Sequence, residues 1–152
     1  MSVISWGKPT VEVADSVDKA PGTEFTAFPI IKEGTATLTT TKGTQIEATG
    51  EGNERVDIRF APNTYSFSFE VFVKKGDATR TLDAVDGTIT GDKTIRLTPE
   101  DPTNEGFIID CARATVDETW TSADGKTLTY TFEGIKPATG NVVKPYTATA
   151  EP

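Results

Sequence analysis

A period of two in hydrophobicity is the feature that most limits what this chain can become. In TYSFSFEVFV (64–73), Tyr65, Phe67, Phe69, Val71 and Val73 fall on one face, while Ser66, Ser68 and Glu70 fall on the other and Phe72 is the exception. Successive side chains of a strand point to opposite faces, whereas a helix would need a repeat near 3.6. RVDIRF (55–60) repeats the pattern, with Val56, Ile58 and Phe60 against Arg55, Asp57 and Arg59. TIRL (94–97) alternates through Ile95 and Leu97, and LTYTF (128–132) through Leu128, Tyr130 and Phe132. FIIDCARATVDETW (107–120) keeps Ile108, Ala112, Ala114 and Val116 in phase, with Asp110 interrupting.

Turn formers separate these runs: Pro62-Asn63, Lys74-Lys75-Gly76-Asp77, TPEDPTNEG and SADG. The short link at 61–63 predicts that 55–60 and 64–73 are antiparallel neighbours, and SADG predicts a long hairpin of 107–120 with 128–132. The predicted core is Tyr65, Phe67, Phe69, Val71, Leu128, Tyr130 and Phe132. The best helix candidate is ATRTLDAVDG (78–87), closed by Gly87, with a strand or loop an equal alternative.

TTTKGTQIEATGEG (39–52) is β-branched and glycine-punctuated, yet it has almost nothing to bury. A tight turn at Lys42-Gly43 would set Leu38 opposite Glu47 and Thr39 opposite Ile46, leaving about one large apolar side chain on each face. Such a hairpin needs something to pack on.

The 152 residues suit one domain with a genuine core. No run approaches the roughly 20 apolar residues of a membrane-spanning helix. The opening MSVISWGKPTVEVADS lacks a basic segment followed by an apolar stretch, so no signal peptide is expected. The single Cys111 excludes an intrachain disulfide framework and fits a reducing compartment. A net charge of −8 opposes tight binding to nucleic acid phosphates and to anionic membranes.

Catalytic chemistry is poorly supplied. With no histidine, the commonest general base, the commonest zinc ligand and every Ser-His-Asp arrangement are missing. WTSADGKT (120–127) ends like a phosphate-binding loop but has Trp120 where the first glycine belongs, and a strand follows it. GEGNER (50–55) has Arg55 at the third glycine of a dinucleotide fingerprint, and neither DAVDG nor PED has the alternating oxygen ligands of a calcium loop. Glu100/Asp101 and Asp117/Glu118 are strand neighbours that point apart, so neither makes a ready acid–base pair. A non-enzymatic chain without metal or cofactor is expected.

The order of motifs resembles the major tail tube proteins of long-tailed bacteriophages and prophages, especially those of Bacteroides-type hosts. The matching elements are TTKG (40–43), EATGEG (47–52), VDIR (56–59), NTYSFSFEVFVKKG (63–76), DAVDG (83–87), TPEDPT (98–103), TSADGKTLTYTF (121–132) and KPATGNVVKPY (136–146). They run from about residue 36 onward, about three quarters of the chain, and residues 7–34 carry no matching motif. The resemblance implies a mostly β, tail-tube-like sandwich or barrel with at most one short helix and extended terminal arms. It implies hexameric rings stacked into a tube in the virion tail, assembled in the bacterial cytoplasm, through which the genome passes. Tape measure, tail terminator and distal tail proteins would be its partners, with a sheath where the tail contracts.

On that reading the chain divides into an N-terminal segment (1–34), a β core (35–140) with a barrel hairpin (36–49), and a C-terminal arm (141–152). Thr37, Thr39, Lys42, Gln45, Glu47 and Thr49 would form the lumen and inter-subunit hairpin, and the carboxylates of Glu47, Glu51, Glu54 and Asp57 would keep DNA from sticking. Lys144, Pro145 and Tyr146 would dock on an adjacent subunit. The rival is a secreted or surface β-sandwich binding module for carbohydrate or protein, with Trp6, Trp120 and Tyr146 as stacking residues. An injection machine related to phage tails would share the assembly but carry effectors.

Overall fold

A computed structural model describes residues 9–28, 31, 34–73, 82, 84–100, 103–123 and 125–147. Trp6, the turn at 74–77, most of the helix candidate (78–81 and 83), Asp101 and the tail 148–152 lie outside the described residues. The fold is mostly β, as the alternation requires. In chain order the strands are β1 (Thr10–Asp15), β2 (Thr26–Ala27), β3 (Thr37–Thr41), β4 (Gln45–Thr49), β5 (Arg55–Phe60) and β6 (Thr64–Phe72). They continue as β7 (Ala84–Val85), β8 (Thr88–Ile89), β9 (Lys93–Thr98), β10 (Gly106–Thr121), β11 (Gly125–Gly134) and β12 (Val143–Tyr146). A single 3-10 turn, Glu51–Asn53, is the helical element among the described residues, and none of them forms a helix able to cross a membrane.

The long strand β10 organises the sandwich. Its first half pairs with β9 on one side and β12 on the other, so one layer reads β2-β1-β9-β10-β12. Past a register shift between Ile109 and Ala112, its second half pairs with β11, and the other layer reads β10-β11-β6-β3. The shift lets one strand leave one layer and enter the other, as a bulge bends and twists its strand. The hairpin β7–β8 joins the far side of β10 at Thr115, which gives strand rather than helix at Ala84–Val85 of the 78–87 candidate.

The core lies between the layers. Phe67, Phe69, Val71, Leu128, Tyr130 and Phe132 are buried as predicted, and Tyr65 is half-buried. Phe69 and Phe132 stack at 6.0 Å, and Phe28 meets Phe69 edge-on at 4.8 Å. Phe28 comes from the N-terminal segment (1–34), whose β1 runs between β2 and β9 and whose Val11 and Val13 are part of the core. TVEVAD alternates like any half-buried strand, but its partner β9 lies about eighty residues on, and no local signal reveals it.

The C-terminal segment also belongs to the body. Lys144, Pro145 and Tyr146 sit in β12, opposite Ile108, Phe107 and Gly106 of the same chain, rather than extending toward a neighbour. The buried carboxylate of Asp110, the interruption in its strand, accepts from Lys144 Nζ. The Arg96 guanidinium lies 3.7 Å from the centre of the Phe25 ring and 5.2 Å from that of Tyr146, while its Nε donates to Glu12. The Lys144–Asp110 pair ties β12 to the sheet.

Truncating Phe132 removes a fully buried ring that stacks on Phe69. Phe132→Ala is expected to lower unfolding stability by about 3–5 kcal/mol, measured by urea denaturation; a loss no larger than that of a surface substitution would contradict the packing.

Candidate functional site: a projecting ribbon and a polar sheet face

The awkward stretch does turn back on itself, but not at Lys42-Gly43. β3 pairs with β6, from Thr37 opposite Ser68 to Thr41 opposite Thr64. β4 pairs with β5, from Gln45 opposite Phe60 to Ala48 opposite Asp57. The register carries through the break between these two ladders unchanged, so residues 37–49 and 55–68 form the two legs of one long hairpin. Its turn is Gly50–Glu54, closed by Gly50 N–H donating to Glu54 C=O, with Gly52 and Asn53 at positive φ.

Two expectations are therefore corrected. Leu38 faces Phe67, not Glu47, and Thr39 faces Ser66, not Ile46. The strand 55–60 is not the neighbour of 64–73 but its continuation on the same leg. Both Lys42-Gly43 and Gly50-Glu51-Gly52-Asn53 have turn chemistry. The first serves as a kink.

The kink has a clear cause. Pro62 has no N–H to give the ladder and interrupts regular pairing. Opposite it, the Gly43 N–H donates to Asn63 Oδ1 at 3.1 Å, and the Ala61 N–H donates to Thr44 C=O at 2.8 Å. A side chain at Gly43 would collide with the Ala61 carbonyl, so the two legs touch here backbone to backbone.

Beyond the kink, β4 and β5 form a two-stranded ribbon with no third strand among the described residues. Every residue of β4 is exposed, and in β5 only Ile58 is partly covered. Val56 (71% exposed), Phe60 (67%) and Ile46 (59%) are large apolar side chains left in water. Alternation puts Val56, Ile58 and Phe60 on one face, as predicted, but that face covers no core among the described residues. The side-chain amide of Gln45 donates to Glu47, which also pairs with Arg55.

The acidic set does not share one face. Glu47 lies opposite Ile58, on the side of the apolar stripe, while Asp57 lies opposite Ala48 on the other. Glu51 and Glu54 sit exposed at the turn, and Lys42 is exposed at the kink. A strand period of two cannot align Glu47 with Asp57 across this register, which corrects the expectation of a single acidic lining from these four.

A continuous polar surface appears elsewhere. The outward face of the β3-β6-β11-β10 layer carries a row from Thr37 through Ser68 and Thr131 to Thr115. The next row is Thr39, Ser66, Glu133 and Arg113, and a third holds Glu70, Thr129 and Asp117. Thr37 and Thr39 thus belong to this face, while Gln45, Glu47 and Thr49 belong to the ribbon. Its carboxylates outnumber Arg113, whose guanidinium is bonded to Asp92 at 3.1 Å. The spacing of Ser66, Ser68, Thr129 and Thr131 between core aromatics signals this face in the sequence, although it does not say which strands adjoin.

Cys111 is buried, and burial first, then the Asp92 carboxylate, push its thiol above the ordinary value. It is therefore protonated near neutral pH, with little thiolate available as a nucleophile or a metal ligand. No group of three or more metal-ligating side chains occurs among the described residues.

No protein-family model matches the sequence, and no curated protein matches it.

The contact at the kink makes a direct prediction. Gly43→Ala must push the two legs apart and is expected to cost about 1–3 kcal/mol, read from the urea midpoint. An unchanged midpoint would contradict the close approach.

Proposed function

We propose that this chain is a structural, self-assembling subunit of a phage-type tail tube: copies close into rings, the rings stack, and the outward hydroxyl-rich face lines the channel. The ribbon is the observation that carries this reading. An isolated two-stranded hairpin is marginal in water, and its bare edges are templates for pairing with another chain. Here the ribbon stands clear of the body and still presents Val56 and Phe60 to solvent. Fully burying side chains of this kind stabilises by about 1.5–3 kcal/mol each, and the ribbon's own chain leaves that gain unrealised. A neighbouring copy can cover the stripe and pair an edge at once.

The outward face supports the rest. Hydroxyl rows across four strands suit a wall that meets water and a passing solute rather than a packed interior. Ring closure would join such sheets and remove their edges. A lining with Glu70, Glu133 and Asp117 repels phosphates, whereas a basic one would hold DNA by counterion release. A mostly β sandwich is what the tail tube resemblance implies, and the genome is the natural passenger.

Electron microscopy of the purified chain at high concentration tests the reading. Rings or hollow tubes are expected, and a monodisperse monomer would overturn it in favour of a binding module. Phe60→Ser is expected to leave monomer stability within about 0.5 kcal/mol, because the ring is exposed, yet to abolish the rings and tubes. Reversing the face with Asp117→Lys and Glu133→Lys is expected to leave tubes intact but make them retain double-stranded DNA at low salt and release it at high salt. Equal retention by tubes of the original sequence would contradict the electrostatic role of the face.

A further inference from the structure

Two further apolar features lie toward opposite ends of one strand. The tip of the β10–β11 hairpin carries Trp120, 68% exposed. It is in phase with Ala112, Ala114 and Val116, so it continues the core-facing side of the sheet beyond the point where the core ends. Opposite it stands Lys126, which pairs at 2.9 Å with Glu118. Near the start of the same strand a groove of about 470 Å³ opens between β3 and β12, lined by Leu38, Leu97, Phe107, Val143 and Pro145, with Glu105 and Lys144 also on its walls.

We propose that the Trp120 tip of one copy seats in the β3–β12 groove of a second copy, joining subunits head to tail; this rests on the tube reading and names its axial contact. Phe107 and Trp120 belong to one strand and are separated along it by about 40 Å at 3.3 Å per residue, so no chain can fill its own groove. The two patches differ, which makes the contact heterologous. Such contacts propagate into open stacks instead of closing a pair. Chemistry fits at both ends: a Trp side chain is the kind that anchors a desolvated pocket, and the Lys126–Glu118 pair beside it meets a groove rim that carries both Glu105 and Lys144, so charges of both signs can match across the contact. One aromatic buries only about 150–250 Å², well short of the roughly 1,000 Å² of a stable interface. The contact therefore orders and stacks rings that the ribbon has already closed.

Thiol cross-linking tests this, because Cys111 is buried and slow to react. Ser122→Cys and Pro145→Cys together leave Trp120 in place and put one thiol beside the tip and one on the groove wall. At assembly concentration, a short bis-maleimide is expected to give a ladder of multimers from the double variant, and nothing beyond dimers from either single variant. Trp120→Ala is expected to leave single rings in micrographs and at least tenfold fewer tubes. Tubes that yield no ladder, or Trp120→Ala tubes of normal length, would overturn the head-to-tail contact and leave the tube reading standing. If the unsubstituted chain makes neither rings nor tubes, the tube reading falls, and the ladder assay alone decides the contact: a ladder supports it, and monomer refutes it.

Discussion

Backbone groups that leave a core must find partners, and the ribbon of β4 and β5 is where this chain leaves that requirement open. On the body side of the kink, each leg of the long hairpin has help: β6 lies between β3 and β11, and Leu38 faces Phe67. Beyond Gly43 and Pro62 that help ends, and the same register continues into water with an apolar stripe and, among the described residues, unpaired outer edges. On the proposed reading the arrangement gains free energy when another surface arrives, and a further copy of the chain is a surface always present at the same concentration.

The body packs tightly at the base of that element. Stacked aromatics from β6 and β11 lock the layer that extends into the ribbon, and Phe28 and β1 close over them from the other layer. β10 belongs to both layers, so the hairpin tip with Trp120, the groove beside Phe107 and the base of the ribbon are parts of one framework. The buried Asp110–Lys144 pair ties β12 to the groove side of that framework.

Much of this was legible in the residues, and what was not has a physical reason. Phe67, Phe69, Tyr130 and Phe132 reveal their face because alternation is local, and the β10–β11 hairpin follows from two runs and one turn. The stripe of Val56, Ile58 and Phe60 was equally visible, but its exposure was not, because burial depends on partners far away in the chain. Lys42-Gly43 and Gly50-Glu51-Gly52-Asn53 carry competing turn signals. Only the pairing of Leu38 with Phe67 decides between them, and that contact closes a loop no local propensity reports. The N-terminal strand and the docked β12 were missed for the same reason: their partners, β9 and the start of β10, are remote in sequence.

The central claim is that neighbouring copies complete the ribbon, and amide hydrogen exchange followed against protein concentration measures it most directly. At low concentration the amides of residues 45–49 and 55–60 should exchange fast at the outer edges, while those of β6 and β11 stay protected. As concentration rises through assembly, the account predicts slow exchange spreading onto the ribbon, with little change in the core strands. Ribbon amides that exchange equally fast in dilute and concentrated protein, alongside an unchanged monomer mass, would contradict it.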